Sequence, residues 1–265
     1  MGGVWAWLAP AAVLGSVLVS VAAPLGCLVL WRRLAFFAET LAHGALLGLA
    51  VAAWGHWPLW LGMTGLAAVL VGVLLHLQDR RLPMESLLAL CSTAMLCGGW
   101  LLLNALPSQR AQVTGYLFGD LLTLDWPAVA GPLLGGLLLL GVLWRVWPSQ
   151  LALAIDEDLA ASSGVRVALQ RALLLGLVAG FTLLSVKAVG SLLVGALLVI
   201  PALTARLLAH SPTAMVLWAW GLGLLGLWGG LAGSVVWDLA TGPAIVLVMV
   251  AGFLGVWAGQ RFWST

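Results

Sequence analysis

The sequence predicts an all-α polytopic membrane protein with about nine transmembrane helices, or eight if one segment is re-entrant. Three observations carry this expectation. Only 8% of the 265 residues are charged and 63% are hydrophobic, whereas soluble domains carry about 25% charged residues, so the chain cannot clothe a water-facing surface. Its apolar residues fall in runs close to the ~20 residues that span a bilayer as a helix. Strict alternation of apolar and polar residues is scarce, which disfavours a β-barrel. A net charge of +2 without a basic patch leaves no role for nucleic acid.

Nine apolar segments follow in order, near residues 8–30, 35–54, 59–77, 86–106, 127–147, 168–186, 190–209, 212–233 and 241–260. No Lys or Arg precedes Arg32, so the first segment lacks the basic start of a cleaved signal peptide and reads as a permanent helix. Arg32-Arg33 ends it. Trp57-Pro58 closes the second, Asp79-Arg80-Arg81 the third and Pro107 the fourth. The fifth begins after Trp126 and stops at Pro148; the sixth begins after Arg166 and stops before Lys187. The seventh contains Gly195 and Pro201 and is the one that can break or re-enter, as membrane helices do where they line a cavity. Ser211-Pro212 opens the eighth, and the stretch from Trp237 to Gly242 separates it from the ninth. Cys27, Cys91 and Cys97 lie in apolar runs without metal-type spacing and read as packing residues. One membrane domain, 1–265, fills the chain.

Basic residues set the orientation, because cytoplasmic loops are enriched in Lys and Arg. With the N-terminus outside and nine crossings, Arg32, Arg33, Arg80, Arg81, Arg145, Arg166, Arg171, Arg206 and Arg261 fall on the cytoplasmic side, and only Arg110 and Lys187 fall outside. The expectation is therefore N-terminus outside, C-terminus cytoplasmic. Asp120 and Asp238 then lie outside, where they either guide a cation or simply face water. Trp residues near segment ends, such as Trp57, Trp60 and Trp237, suit the membrane interface.

Within the second segment, "WRRLAFFAETLAHGALLGLA", Glu39 precedes His43 by four residues, so both side chains share one helical face. An ionised group within a span costs ~2.5–3.5 kcal/mol on insertion scales and is a functional candidate by default. Carboxylate and imidazole together suit Zn²⁺ and also serve Mn²⁺. The neighbours Ala38, Thr40, Ala42, Gly44 and Ala45 are small and leave room beside the imidazole. The alternative is that Glu39 pairs with an arginine and His43 only packs.

The largest cytoplasmic connection between spans is residues 148–171, with a candidate coupling segment near 148–168. Its "DEDLAASSG" places three acids at the start of a short helix, where they complement the helix dipole, and Gly164 at its stop. This is either an ordinary solvated loop helix or a helix that docks into a cytoplasmic partner. The chain has no phosphate-binding G-x-x-x-x-G-K-[ST] motif, so any ATP is bound by a partner and no enzymatic activity is expected here.

The second segment resembles the signature of the ABC-3 family of metal-ion permeases, most like its zinc-uptake branch. Resemblance continues, in order, through "YLFGDLLTL" (116–124), "DEDLAASSGVRVALQRALLL" (156–175), "KAVGSLLVGALLVIPALTARLLA" (187–209) and "TGPAIVLV" (241–248), and so covers nearly the whole chain. It implies a type II ABC importer-like permease in a bacterial plasma (inner) membrane. It further implies a divalent cargo, most simply Zn²⁺ with Mn²⁺ or Fe²⁺ as alternatives, and no permanently bound cofactor. The implied partners are a cytoplasmic ABC ATPase, a periplasmic or extracellular metal-binding protein and a second permease copy. His43 matches the family's histidine; Glu39 stands where the family usually has Asp, one methylene shorter. Asp156, Glu157, Asp158, Leu159, Ala160 and Gly164 fall in the segment that resembles the coupling helix. Gly190, Pro201 and Arg206 match a pathway or gate pattern. Two other classes remain open on the residues alone: a proton-driven secondary transporter using Glu39 and His43 as a relay, and a membrane scaffold in which the pair only fixes packing.

Overall fold

The computed structural model describes residues 2–77, 83–105, 116, 119 and 121–263. Among them the chain is helical throughout: α1 (Gly2–Trp31), α2 (Ala35–Trp54), α3 (Leu59–Leu77), α4 (Met84–Asn104), a 3₁₀ turn (Leu121–Thr123), α5 (Trp126–Ile155), α6 (Glu157–Ser162), α7 (Val167–Val189), α8 (Ser191–Leu208), α9 (Pro212–Trp237) and α10 (Thr241–Trp263). Eight of these helices are long and apolar enough to cross a membrane, while the seventh expected segment, α8, has the shorter apolar stretch Leu193–Leu208. The chain is a multi-pass membrane protein. Asp79, Arg80, Arg81, Arg110 and Asp120 lie outside the described residues.

Helix α1 is the centre post, packing against α5, α7, α8 and α9; α2 packs against α3, α4, α7 and α8. The apolar window of α2 is 72% buried and that of α1 67%, against 17% for α3 and α5, so the first two spans lie in the interior while α3 and α5 face outward. Close crossings rest on small residues. A Cβ on Gly26 would collide with the Leu198 carbonyl where α1 meets α8, and one on Gly48 would collide with the Gly62 carbonyl where α2 meets α3. The Gly226–Gly230 pair of α9 is covered by Met249 and Ile245 of α10, so these glycines serve close packing.

The arginine-rich ends gather at one end of the bundle. Arg32, Met84, Glu157 and Arg171 line one cavity there, and Trp31, Ile155, Arg206 and Pro212 line another. The Gln260 amide donates to the Leu207 carbonyl, which brings the last helix to the same end. One boundary differs from expectation. Residues 148–155 are the last two turns of α5 rather than loop, and Pro132 and Pro148 both lie inside that helix. Proline removes one backbone donor and ordinarily bends or stops a helix, but these turns are tied down from outside. Gln150 is fully buried. Its amide nitrogen donates to the Gln170 carbonyl at 2.7 Å and to Gln170 Oε1 at 3.0 Å, and Arg32 donates to the Leu153 carbonyl at 3.3 Å.

Candidate functional site

The burial of α2 comes from a nearly unbroken series of small or apolar residues. Glu39 and His43 lie in its second and third turns. The two side chains meet different surroundings. His43 is 6% exposed, and its Nδ1 lies 2.8 Å from Ser92 Oγ on α4. One hydroxyl thus fixes the ring and leaves Nε2 as the nitrogen available to an ion, the arrangement by which outer partners orient a ligating histidine. Thr40 donates to the Phe36 carbonyl at 2.7 Å and to the Leu88 carbonyl of α4 at 3.0 Å, joining the same two helices. Tyr116 donates to the Ala42 carbonyl at 3.0 Å. Glu39, by contrast, is exposed on the protomer's surface. Gly195 of α8 lies beside it: a Cβ there would sit 3.8 Å from the Glu39 Cβ. Among the described residues no cluster of three or more His, Cys, Asp or Glu forms, so α2 brings two donors together and no more.

Four-residue spacing singles out Glu39 and His43 but not Ser92. A serine in an apolar helix carries no signal of its own, and it meets His43 only because α4 folds back on α2, 49 residues later. The remaining residues singled out from sequence form two further groups. Gly190 joins α7 to α8 as a one-residue link with φ 85°, a conformation costly for any residue with a side chain. Ala188, Val189, Gly190 and Ser191 around it are all buried, and a Cβ on Gly119 would collide with this link. Pro201 is buried within α8, whereas Arg206 is exposed at the arginine-rich end. Asp238 caps α9 in the left-handed region (φ 49°) and is exposed.

The coupling candidates occupy α6. Asp156 is its N-cap and accepts from the Leu159 amide at 2.9 Å. Glu157 turns inward, paired with Arg171 and 3.9 Å from Arg32. Burial lowers the Arg32 pKa from its ordinary value, Glu157 raises it and Arg171 lowers it again. Asp158 and Leu159 face outward, with Leu159 64% exposed, and Ala160 is buried. Gly164 at φ 87° ends the helix, and the Val165 amide reaches back to the Ala160 carbonyl at 3.1 Å. One apolar side chain, Leu159, therefore projects from a capped, braced helix.

These features sit in a chain whose relatives are known. The sequence profile of the ABC 3 transport family matches residues 6–260. The chain is 34% identical over 241 residues to the high-affinity zinc uptake system membrane protein ZnuB of Haemophilus influenzae, covering 91% of this chain and 92% of that protein. It is 27% identical over 244 residues to the manganese transport system membrane protein MntC of Halalkalibacterium halodurans, covering 90% and 81%. Its fold is similar to a structure of PsaBC from Streptococcus pneumoniae, with a TM-score of 0.80 at 24% identity over 94% of this chain and 90% of that one. An inward-facing metal-chelate type ABC transporter has a TM-score of 0.70 at 19% identity, over 94% and 85%. The chain belongs to the ABC 3 transport family.

Proposed function

We propose that this chain is the membrane-spanning permease of an ATP-driven importer in a bacterial plasma membrane, and that its cargo is a divalent metal ion, zinc. The observation that carries the reading is the asymmetry of the α2 pair: His43 is buried and held by Ser92, while Glu39 is exposed on a helix that is mostly interior. A carboxylate facing hydrocarbon is unfavourable, so that face belongs against protein or a hydrated path. One protomer offers an ion one imidazole and one carboxylate. Two copies related by a two-fold axis offer two of each, a four-donor set that suits tetrahedral Zn²⁺. The relatives include both zinc and manganese systems; ligand type favours zinc, since a four-donor set with two imidazoles suits it better than the all-oxygen sets preferred by manganese.

In this reading a separate ATPase docks on the exposed Leu159 and Asp158 of α6, and an external binding protein delivers the ion at the opposite end. The buried Gly190 link and Pro201 provide the gate elements, and Arg206 lies beyond them at the arginine-rich end of α8. No bond chemistry occurs in this chain: it supplies a helix packing with two arrangements. The test is metal accumulation in cells that rely on this permease, counting zinc and manganese separately under limitation. Wild type is compared with Glu39→Ala and His43→Ala at matched membrane abundance. Collapse of zinc accumulation with assembly intact supports the proposal. Persistent flux refutes the pair's role, and selective loss of manganese overturns the choice of cargo.

A further inference from the structure

Away from the α2 pair, α5 and α9 both lean on α1 and leave between them a cleft of about 840 Å³. Its floor is Ser20 and Pro24 of α1, and its walls include Trp144, Trp147 and Trp220. Trp220 Nε1 donates to Ser20 Oγ at 3.0 Å, and Ser20 donates to the Ser16 carbonyl at 2.8 Å, so these two polar groups are engaged within the protein. What the cleft presents outward is mainly hydrocarbon. It runs along α5 from Leu137 to Trp147, a rise of about 15 Å, which is half of the roughly 30 Å bilayer core. Its depth is that of a single leaflet.

At its arginine-rich end the cleft meets a second cavity of about 290 Å³ lined by Arg206, His210 and Ser211. The Trp31–Trp147 ring pair, with centroids 6.3 Å apart, stands between the two, Trp147 lining the cleft and Trp31 the second cavity. Among the described residues no carboxylate pairs with Arg206. The start of α9, capped by Ser211, adds the positive end of a helix dipole. A single-leaflet hydrocarbon slot that ends in a cation has the chemistry of an anionic phospholipid site.

We infer that this cleft holds one anionic phospholipid of the cytoplasmic leaflet, with an acyl chain along Trp144, Trp147 and Trp220 and its headgroup phosphate at Arg206 and His210. The site is distinct from the metal path and does not depend on the identity of the cargo.

Native mass spectrometry of the assembled transporter, extracted from membranes containing phosphatidylglycerol and phosphatidylcholine, tests it. Gly141 borders the cleft, and a Cβ there meets open space, so Gly141→Phe fills the slot without striking backbone. Gly72→Phe on α3, also open, is the matched control. Wild type and the control retain phosphatidylglycerol. Gly141→Phe expels it, Arg206→Gln lowers retention about five-fold, and Arg206→Lys restores it. Equal retention of the two lipids, or retention unchanged by both Gly141→Phe and Arg206→Gln, overturns the inference. So does a Leu217→Cys variant that cross-links to another subunit, because the cleft would then be a protein interface.

Discussion

Two clusters of ionisable residues in this chain are held by opposite means. Glu39 and His43 sit within a 20-residue span whose backbone hydrogen bonds do not depend on them. Their partners come from elsewhere: Ser92 on α4 and Gly195 on α8. In α6, six residues long, a helix too short to persist alone exists because its own acids build it. Asp156 caps it and Glu157 braces it to two arginines. Where the fold ignores a charged residue, that residue is free to serve an ion. Where the fold depends on one, neighbouring residues are left to make the contact.

This contrast is sharpened most by His43→Ala. Uptake of zinc is expected to fall roughly 100-fold while membrane abundance and thermal stability stay at wild-type values; a protein lost from the membrane would show that α2 does depend on the residue. Next is Leu159→Asp, which puts a charge on the one projecting apolar contact of α6. Retention of the ATPase through purification should drop about 30-fold, with the permease itself still folded by circular dichroism. Ser92→Ala follows, with metal affinity reduced about 10-fold by removal of the group that orients His43, measured by competition with a chelator. The smallest effect is that of Asp156→Ala. Loss of this cap is expected to cost about 1 kcal/mol, visible as faster hydrogen exchange at the amides of residues 157–162 with zinc affinity unchanged.

Much of this was legible in the sequence. Hydropathy runs gave the spans within a few residues because an ordered span in lipid must satisfy its own backbone. The pair in α2 stood out because charge inside such a run is rare. The short helix at 157–162 was readable from its acids and Gly164, since caps are local. What failed was non-local. Pro148 signalled a stop, yet α5 runs on to Ile155 because Gln170 and Arg32 hold its last turns from other parts of the chain. Ser92 was invisible for the same reason. The exposure of Glu39 beside the burial of His43 depends on where α4 and α8 lie, which four-residue spacing does not encode.

The Gly190 link has a mechanical consequence. The chain passes from α6 through a four-residue turn into α7, then through one residue into α8, whose Gly195 touches Glu39. A lever train with a single-residue joint has almost no backlash: a push on α6 is not absorbed by slack chain before it reaches Glu39. Lengthening that joint by one or two flexible residues would therefore act as a clutch, leaving ATP turnover running while the ion stands still.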